Sequence, residues 1–394
     1  MDAEQPQSAA LVVVFEAPVV SRDCADALRT LGFRVTCLPI TEDNVMGLMS
    51  SRPDYVLTIN FNRYISEVCE LLKVTYLAWV IDTPCYPLYD GAVKHSHSFT
   101  FAYDAAIAQR LRARGVRQIY HLPVAANPGR IEQLQQQGAA VDLVHDISFV
   151  ANLTRTEYAS LIQPRLSPST SARCAALIQS LDQPSATFTL AEHIDEALIA
   201  DVNRESGYGL TGEHLLSPAE KLAYLLAREH SWQERIGLVR QVEQRFDLRV
   251  YGNSEWEGQI QGYAGHADHF ETMPKIFQQS KINLNLSRSF VEYGLPMRIF
   301  DVLSCGGFLL TNDKQDLGKL FTNGKDLVIF RDTQDLLEIC AYYLEHEDER
   351  QAIARQGAAT LREQHTYLLR MIDLFTTVQA VQGGQPMPLS RWYT

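Results

Sequence analysis

"KINLNLSRSFVEYGLPMRIFDVLSCGGFLLTND" spans residues 281–313. Its ends, "KINLNL" (281–286) and "GGFLLT" (306–311), are short apolar runs that read as buried strands. A loop of about ten residues follows the first strand. A helix then starts near Pro296 or Met297, since proline at the first helical turn is a start signal. Strand, helix and strand in succession, with apolar runs unbroken by polar alternation, predict a parallel sheet covered on both faces.

The same rhythm runs through the chain. In the first third "LVVVF" (11–15), "FRVTCL" (33–38), "DYVLTI" (54–59), "TYLAWVI" (75–81), "SFTFAY" (98–103) and "QIYHL" (118–122) read as strands. Helical patterns at 22–31, 62–72 and 104–114 separate them. "DISFVAN" (146–152) opens a second series, which continues with "DLRVYG" (247–252), 281–286, 306–311 and "DLVIF" (326–330). Between its first two strands, about 155–245, the pattern is helical, with 217–229 and 231–245 the clearest helices. The fold class is α/β, with two doubly wound, Rossmann-like domains and a helical insertion in the second. We expect domains at 1–141 and 142–380, with 381–394 as a tail. The boundary is set by "LPVAANPGR" (122–130) and the Gln-rich 133–137. A cleft between the domains, at the strands' C-terminal ends, is where ligands are expected.

Bulk properties narrow the functions. The 394 residues are 46% hydrophobic and 21% charged, with net charge −12. An acidic chain of this kind is a poor general binder of nucleic acid or anionic membrane. The seven cysteines include no CxxC pair and sit mostly in apolar runs, which fits a reducing compartment. "LVVVF" is stopped by Glu16 and has no basic segment before it, so it reads as a strand, not a signal peptide. No apolar stretch is long enough to span a membrane. The expected location is the cytoplasm. No Walker motif and no GxGxxG follows the first strand, which disfavours a P-loop ATPase or a dinucleotide-dependent dehydrogenase.

The polar first half of 287–313 carries the candidate chemistry. The early N–H groups of a helix suit a phosphate. Arg298, in the first turn, adds a guanidinium that can grip one bidentately. Asp301, at i+3 on nearly the same face, can accept from both hydroxyls of a ribose. The alternative is an Arg298–Asp301 ion pair on the helix surface. Asn285, Ser287 and Arg288 after one strand, and Asn152 and Thr154 after another, are expected on the cleft floor or as loop caps. Asp82 ends a strand in "WVIDTPCYPLYD" (79–90) and is the first candidate for a base; the alternative is a cap of the Thr83–Pro84 turn. His97, with His95, is the runner-up in "KHSHSF" (94–99). No nearby carboxylate completes a metal set with that pair, and neither it nor "GHADHF" (265–270) is expected to hold a metal.

The region from about Asp146 to Phe375 resembles the GT-B glycosyltransferases, most closely the CgeB-like branch of spore maturation and protein glycosylation. "DISFVAN", "DLRVYGNSEWEGQIQGY" (247–263), "MPKIFQQSKINLNLSRS" (273–289) and "PMRIFDVLSCGGFLLTND" (296–313) carry it in order. "HTYLLRMIDLF" (365–375) is similar to the family's last helix, and "WVIDTP" (79–84) to its Trp-x-x-Asp-x-Pro strand end. The resemblance implies a GT-B fold and a sugar donor carrying a nucleoside diphosphate. It places Arg298 on the donor pyrophosphate and Asp301 on the ribose. Gly252, Asn253 and Tyr263 fall near its base pocket. Related enzymes usually have Glu where Asp301 stands, and the wider superfamily often has a second Glu eight positions earlier, where this chain has Tyr293 beside Glu292. Gly294 would then bring backbone to the donor sugar.

The expected activity is metal-independent, hexosyl-type transfer from a nucleoside diphosphate sugar to a protein or glycan acceptor, with no cofactor. No Asp-x-Asp pair is present to hold a metal on the pyrophosphate. The alternatives are a non-catalytic adaptor or chaperone of a glycosylation system, or an epimerase or phosphorylase on the same fold. Self-association into a homo-oligomer is left open, as is the loop "ESGYGLTGEHLLSP" (205–218), which either shapes the acceptor side or only connects helices.

Overall fold

The computed structural model describes residues 9–136, 144–182 and 189–385, the side chains of 133–136 excepted. Each strand read from the sequence is present. Six form one all-parallel sheet: β1 (Leu11–Phe15), β2 (Arg34–Leu38), β3 (Tyr55–Ile59), β4 (Thr75–Val80), β5 (Ser98–Ala102) and β6 (Ile119–His121), in the order β2-β1-β3-β4-β5-β6. Five form a second: β7 (His145–Val150), β8 (Leu248–Tyr251), β9 (Ser280–Asn285), β10 (Leu309–Asn312) and β11 (Val328–Phe330), in the order β11-β10-β9-β7-β8. β4 and β5 are buried at every residue, as expected for central strands with both faces covered. β10 starts three residues later than the apolar run, because Gly306 (φ +73°) turns the chain out of the preceding helix.

The domain limits need correction. The chain forms two compact units: one runs to Ala125 and resumes at His365, and the other is Ala126–Gln364. The expected boundary at 141 lies outside the described residues, as does 386–394 of the expected tail. The return of the chain has a packing reason. The helix Tyr367–Gln382 belongs with the first sheet, where Phe375 packs on Phe33 and Tyr55, with ring centroids 4.5 and 5.0 Å away. Arg370, wholly buried, donates through Nε to the Pro123 carbonyl at 2.8 Å. Trp79 meets Tyr367 edge to face at 5.9 Å. In sequence this helix looks only like the last of a helical tail.

In the second unit the two helices expected at 217–229 and 231–245 are one, Pro218–Glu243. Ser217 and Glu220 form a capping box at its start, with Pro218 in the first turn. Ile236, Val239 and Val242 bury one face of it in the core under β7 and β8 with Ile147, Phe149 and Val250. The insertion before it is helical as expected, with Pro168–Ser180 and Glu196–Ser206 its longest described helices.

Candidate functional site

Counted within each sheet, the strand order is 2-1-3-4-5-6 in the first and 2-1-3-4-5 in the second, and in both the connections leave the first and third strands in opposite directions. That divergence opens a crevice at their C-terminal ends, where open α/β sheets bind ligands. In the second unit the strands are β7 and β9. The loops leaving them bring together residues distant in sequence. Arg235, on the long helix, donates through Nη1 to the Asn152 carbonyl at 3.1 Å and through Nη2 to the Leu286 carbonyl at 2.8 Å. Its guanidinium lies 5.6 Å from the Phe149 ring. Arg288 reaches the same Asn152 carbonyl at 3.4 Å.

Arg235 and Arg288 therefore converge on one carbonyl. Burial pushes the Arg235 guanidinium down to about 9, and the positive charges of Arg288 and Arg298 push the same way while Glu234 opposes them. It is still cationic at neutral pH. Sequence reasoning missed Arg235, because it sits in mid-helix inside an apolar stripe. A charged residue among Ser231, Ile236 and Val239 was the available signal.

The helix read from 287–313 runs Met297–Ser304 and starts where expected, with Pro296 as its N-cap and no side-chain cap. Arg298 is largely covered: 21% of its side chain is exposed, against 13% for Asp301. Nη1 of Arg298 lies 3.3 Å from Asp301 Oδ2 and 2.7 Å from Met273 Sδ, with the guanidinium over the Phe277 ring at 5.4 Å. The ion pair considered from sequence is thus present, at the mouth of a helix end suited to an anion. Burial lowers the Arg298 pKa and Asp301 counters it.

The other expected donor contacts divide. Asn285 is 4% exposed and spends its amide on Ser287 Oγ (3.1 Å) and Thr311 Oγ1 (2.8 Å), so it braces the strand ends and does not line a floor. Ser287 is also buried, and its N–H donates to Asn312 Oδ1 at 2.7 Å. Asn152 and Asn253 bind each other's loops: Asn253 N–H donates to Asn152 Oδ1 at 3.1 Å, and the Asn253 side chain brackets the Leu153 backbone. Thr154 is exposed beside them. Gly252 is a close approach, with a Cβ there standing 2.2 Å from the Ala151 carbonyl oxygen. Tyr263 donates to the Gly252 carbonyl at 3.3 Å and adds a bridge at the edge of β8. Glu292 and Tyr293 are half-buried and Gly294 is buried, all in the loop between β9 and the helix; the Tyr293 carbonyl accepts from Asp316 N–H at 3.2 Å.

In the first unit Asp82 follows β4, exposed at the C-terminal end of the sheet. Asn60, after β3 and in a left-handed conformation (φ +64°), holds it. The Asn60 amide donates to Asp82 Oδ2 at 2.6 Å, and its Oδ1 accepts from the N–H groups of Ile81 (3.0 Å) and Asp82 (3.3 Å). His97 is not brought beside Asp82. It directly precedes β5, so it lies at the N-terminal end of the parallel sheet, opposite to Asp82. There its ring and backbone N–H both meet Glu70 Oε2 at 2.9 Å, and His95 meets Ser66 Oγ at 3.0 Å. A parallel sheet separates the residues before a strand from those after it, and His97 stands at the end opposite to Asp82. Among the described residues no three His, Cys, Asp or Glu side chains cluster as a metal site would require, and no helix is long and apolar enough to cross a membrane.

Comparison with known proteins bears on the fold. Residues 228–376 match the family described as glycosyl transferase-like. No curated protein matches the chain. Among solved structures, a glycosyltransferase from Rickettsia africae ESF-5 is similar at a TM-score of 0.50 and 10% identity, over 95% of this chain and 99% of that one. HepE from Anabaena, solved with UDP and glucose, gives 0.49 and 11%, over 94% and 100%. At 10% identity, the likeness to the Rickettsia africae ESF-5 structure speaks for the fold alone. That fold is the one of the GT-B glycosyltransferases, two Rossmann-like parallel-sheet domains, and the stretch from the long helix into the last one carries the glycosyl transferase-like pattern.

Proposed function

We propose that the chain is a glycosyltransferase whose donor is a nucleoside diphosphate sugar held by the second unit. The observation that carries the reading is the meeting of Arg235 and Arg288 on the Asn152 carbonyl at the β7/β9 crevice, with the charge of Arg298, at the uncapped start of helix Met297–Ser304, bearing on Arg235. An anion relieves the mutual repulsion of such charges, and a diphosphate matches both the guanidinium forks and the helix N–H groups. Arg288 and Arg298 would meet the phosphates, while Arg235, whose Nη groups already hold two backbone carbonyls, positions the loops. Asp301 would leave Arg298 for the ribose hydroxyls once the phosphates take over the guanidinium. Charge building on the departing diphosphate would be stabilised there, where it develops.

Asp82 is the proposed base for the acceptor hydroxyl, oriented by Asn60. Metal independence follows in this reading from the arginines supplying the charge compensation. The motif resemblance favours the CgeB-like branch, a hexosyl donor and a protein or glycan acceptor. The unpaired cysteines suit the cytoplasm. The test is a thermal-shift screen of nucleoside diphosphates and their sugars, since a ligand that binds the folded state alone raises its melting temperature. At least one should raise it, and Arg298→Ala should remove the shift. No response to any nucleotide would refute the reading.

A further inference from the structure

The second unit holds a cavity of about 690 Å³ that the donor reading does not use. It lies over the C-terminal ends of β9, β10 and β11, between the long helix Pro218–Glu243 and the start of the helix Thr333–Glu345. Its volume is in the roughly 300–1,000 Å³ range of small-molecule sites.

The long helix turns one stripe toward it: His230, Gln233, Glu234, Gly237, Leu238 and Gln241. The spacing of 3, 1, 3, 1 and 3 is that of a single helix face. The opposite face carries Ile236, Val239 and Val242 into the core, so the helix is amphipathic with its polar side over a cavity. Gly237 is the telling residue. It sits deep inside a helix of 26 residues, where glycine costs about 1 kcal/mol relative to alanine. No atom lies within 4 Å of where its Cβ would be, so packing does not demand a glycine. What the missing side chain leaves is room in the cavity.

The walls are built. His230, 7% exposed, is fixed between Asp182 Oδ1 (2.9 Å, Nε2) and Ser289 Oγ (3.1 Å, Nδ1). Asn312 is pinned by exchanging hydrogen bonds with the Ser287 backbone at 2.7 and 3.0 Å. Lys314 donates to the Val291 carbonyl at 2.5 Å. Glu234 is open to the cavity but enclosed by protein, and that enclosure raises its pKa against the pull of His230, Lys314 and Arg235.

The lining selects a ligand class. The carboxylates Asp182, Glu234, Asp313 and Asp332 outnumber the cations Lys314 and Arg331, which disfavours an anion. Leu181, Leu238 and Phe330 give an apolar patch too small for a wholly apolar ligand. Carboxylates, amides and hydroxyls around a limited apolar patch suit a molecule with many hydroxyls and one C–H face. We propose that this cavity is a second ligand site of the chain, one that binds a neutral mono- or disaccharide apart from the nucleotide.

The test uses the full chain and a panel of glucose, galactose, mannose, N-acetylglucosamine and their β-linked dimers, read by saturation-transfer NMR and thermal shift. At least one sugar should bind saturably without nucleotide. Gly237→Phe should abolish binding while the unliganded melting temperature falls by no more than a few degrees. Glu234→Gln, which keeps the shape, should weaken it about tenfold. Arg298→Ala should leave it unchanged, which separates this site from the donor site. Failure of every sugar to bind, survival of binding in Gly237→Phe, or its loss in Arg298→Ala would each overturn the proposal.

Discussion

Gly252→Ala tests how the site's two outer loops are joined. A Cβ on residue 252 would stand 2.2 Å from the Ala151 carbonyl oxygen, about 1.2 Å short of ordinary contact, and 3.1 Å from Trp256 Cδ1. Neither neighbour is free to retreat. Trp256 Nε1 donates to that same carbonyl at 2.7 Å, Ala151 N–H donates to the Tyr251 carbonyl at 2.9 Å, and the Asn152–Asn253 bonds close the crossing one residue on. Overpacking of this kind costs about 1–3 kcal/mol. Displacing the carbonyl would also leave the buried Trp256 N–H without its acceptor, at about 1–3 kcal/mol more. Gly252→Ala should therefore destabilise the second unit by roughly 2–6 kcal/mol, a fall of about 2–4 °C in Tm per kcal/mol for a unit of this size. Gly237→Ala, at a helix position open on all sides, should instead gain up to about 1 kcal/mol. Urea unfolding of both variants beside the parent is the assay. Equal stability of Gly252→Ala and the parent would refute the packing argument.

Three further outcomes follow from the geometry. Burial alone would raise the Glu70 carboxyl; hydrogen bonds from the His97 N–H, the Ser96 hydroxyl and the His97 ring outweigh it and hold the pKa at about 2. A depressed acid contributes stability above its unfolded pKa and loses it as pH falls, so Glu70→Gln should cost about 1–2 kcal/mol at pH 7 after allowing for solvent screening, with the difference shrinking between roughly pH 4.5 and 2. Arg370→Met, by freeing the Pro123 and Val124 carbonyls and the His365 ring from their buried partner, should lower stability by about 3–5 kcal/mol and loosen the last helix, read by hydrogen exchange. Asp82→Asn should reduce kcat for transfer about 10²-fold or more at nearly constant donor KM, while His97→Gln stays within about twofold; equal losses in both would remove Asp82 from its proposed role.

Much of the fold was legible because parallel strands buried on both faces write themselves as apolar runs, and eleven such runs became eleven strands. Connections were harder. The helix containing Arg370 and Phe375 packs by its contacts with Phe33, Tyr55 and Pro123, which are more than 240 residues away, a pairing that periodicity along the chain cannot carry. The start of helix Met297–Ser304 was readable from Pro296, and with it the place of Arg298 and Asp301. Asp82 follows β4 and His97 precedes β5, so a parallel sheet sets them at opposite ends, a difference already contained in the strands read from sequence. Asn285 looked like a cleft residue because it ends a strand; its amide instead answers Thr311 on the neighbouring strand. Arg235 escaped notice because a buried guanidinium is recognised by the carbonyls it meets, and those belong to Asn152 and Leu286.

The central claim, a diphosphate held by arginines at the β7/β9 crevice, is tested most directly by calorimetric titration of UDP, GDP, dTDP and ADP into the parent chain and Arg298→Ala. A charge-assisted bond to phosphate is worth about 1.5–3 kcal/mol, or roughly 10- to 150-fold in Kd. The account predicts that at least one nucleotide binds the parent and that the folded variant loses affinity by such a factor. A parent that binds none of the four, or a variant that binds as tightly as the parent, would contradict it.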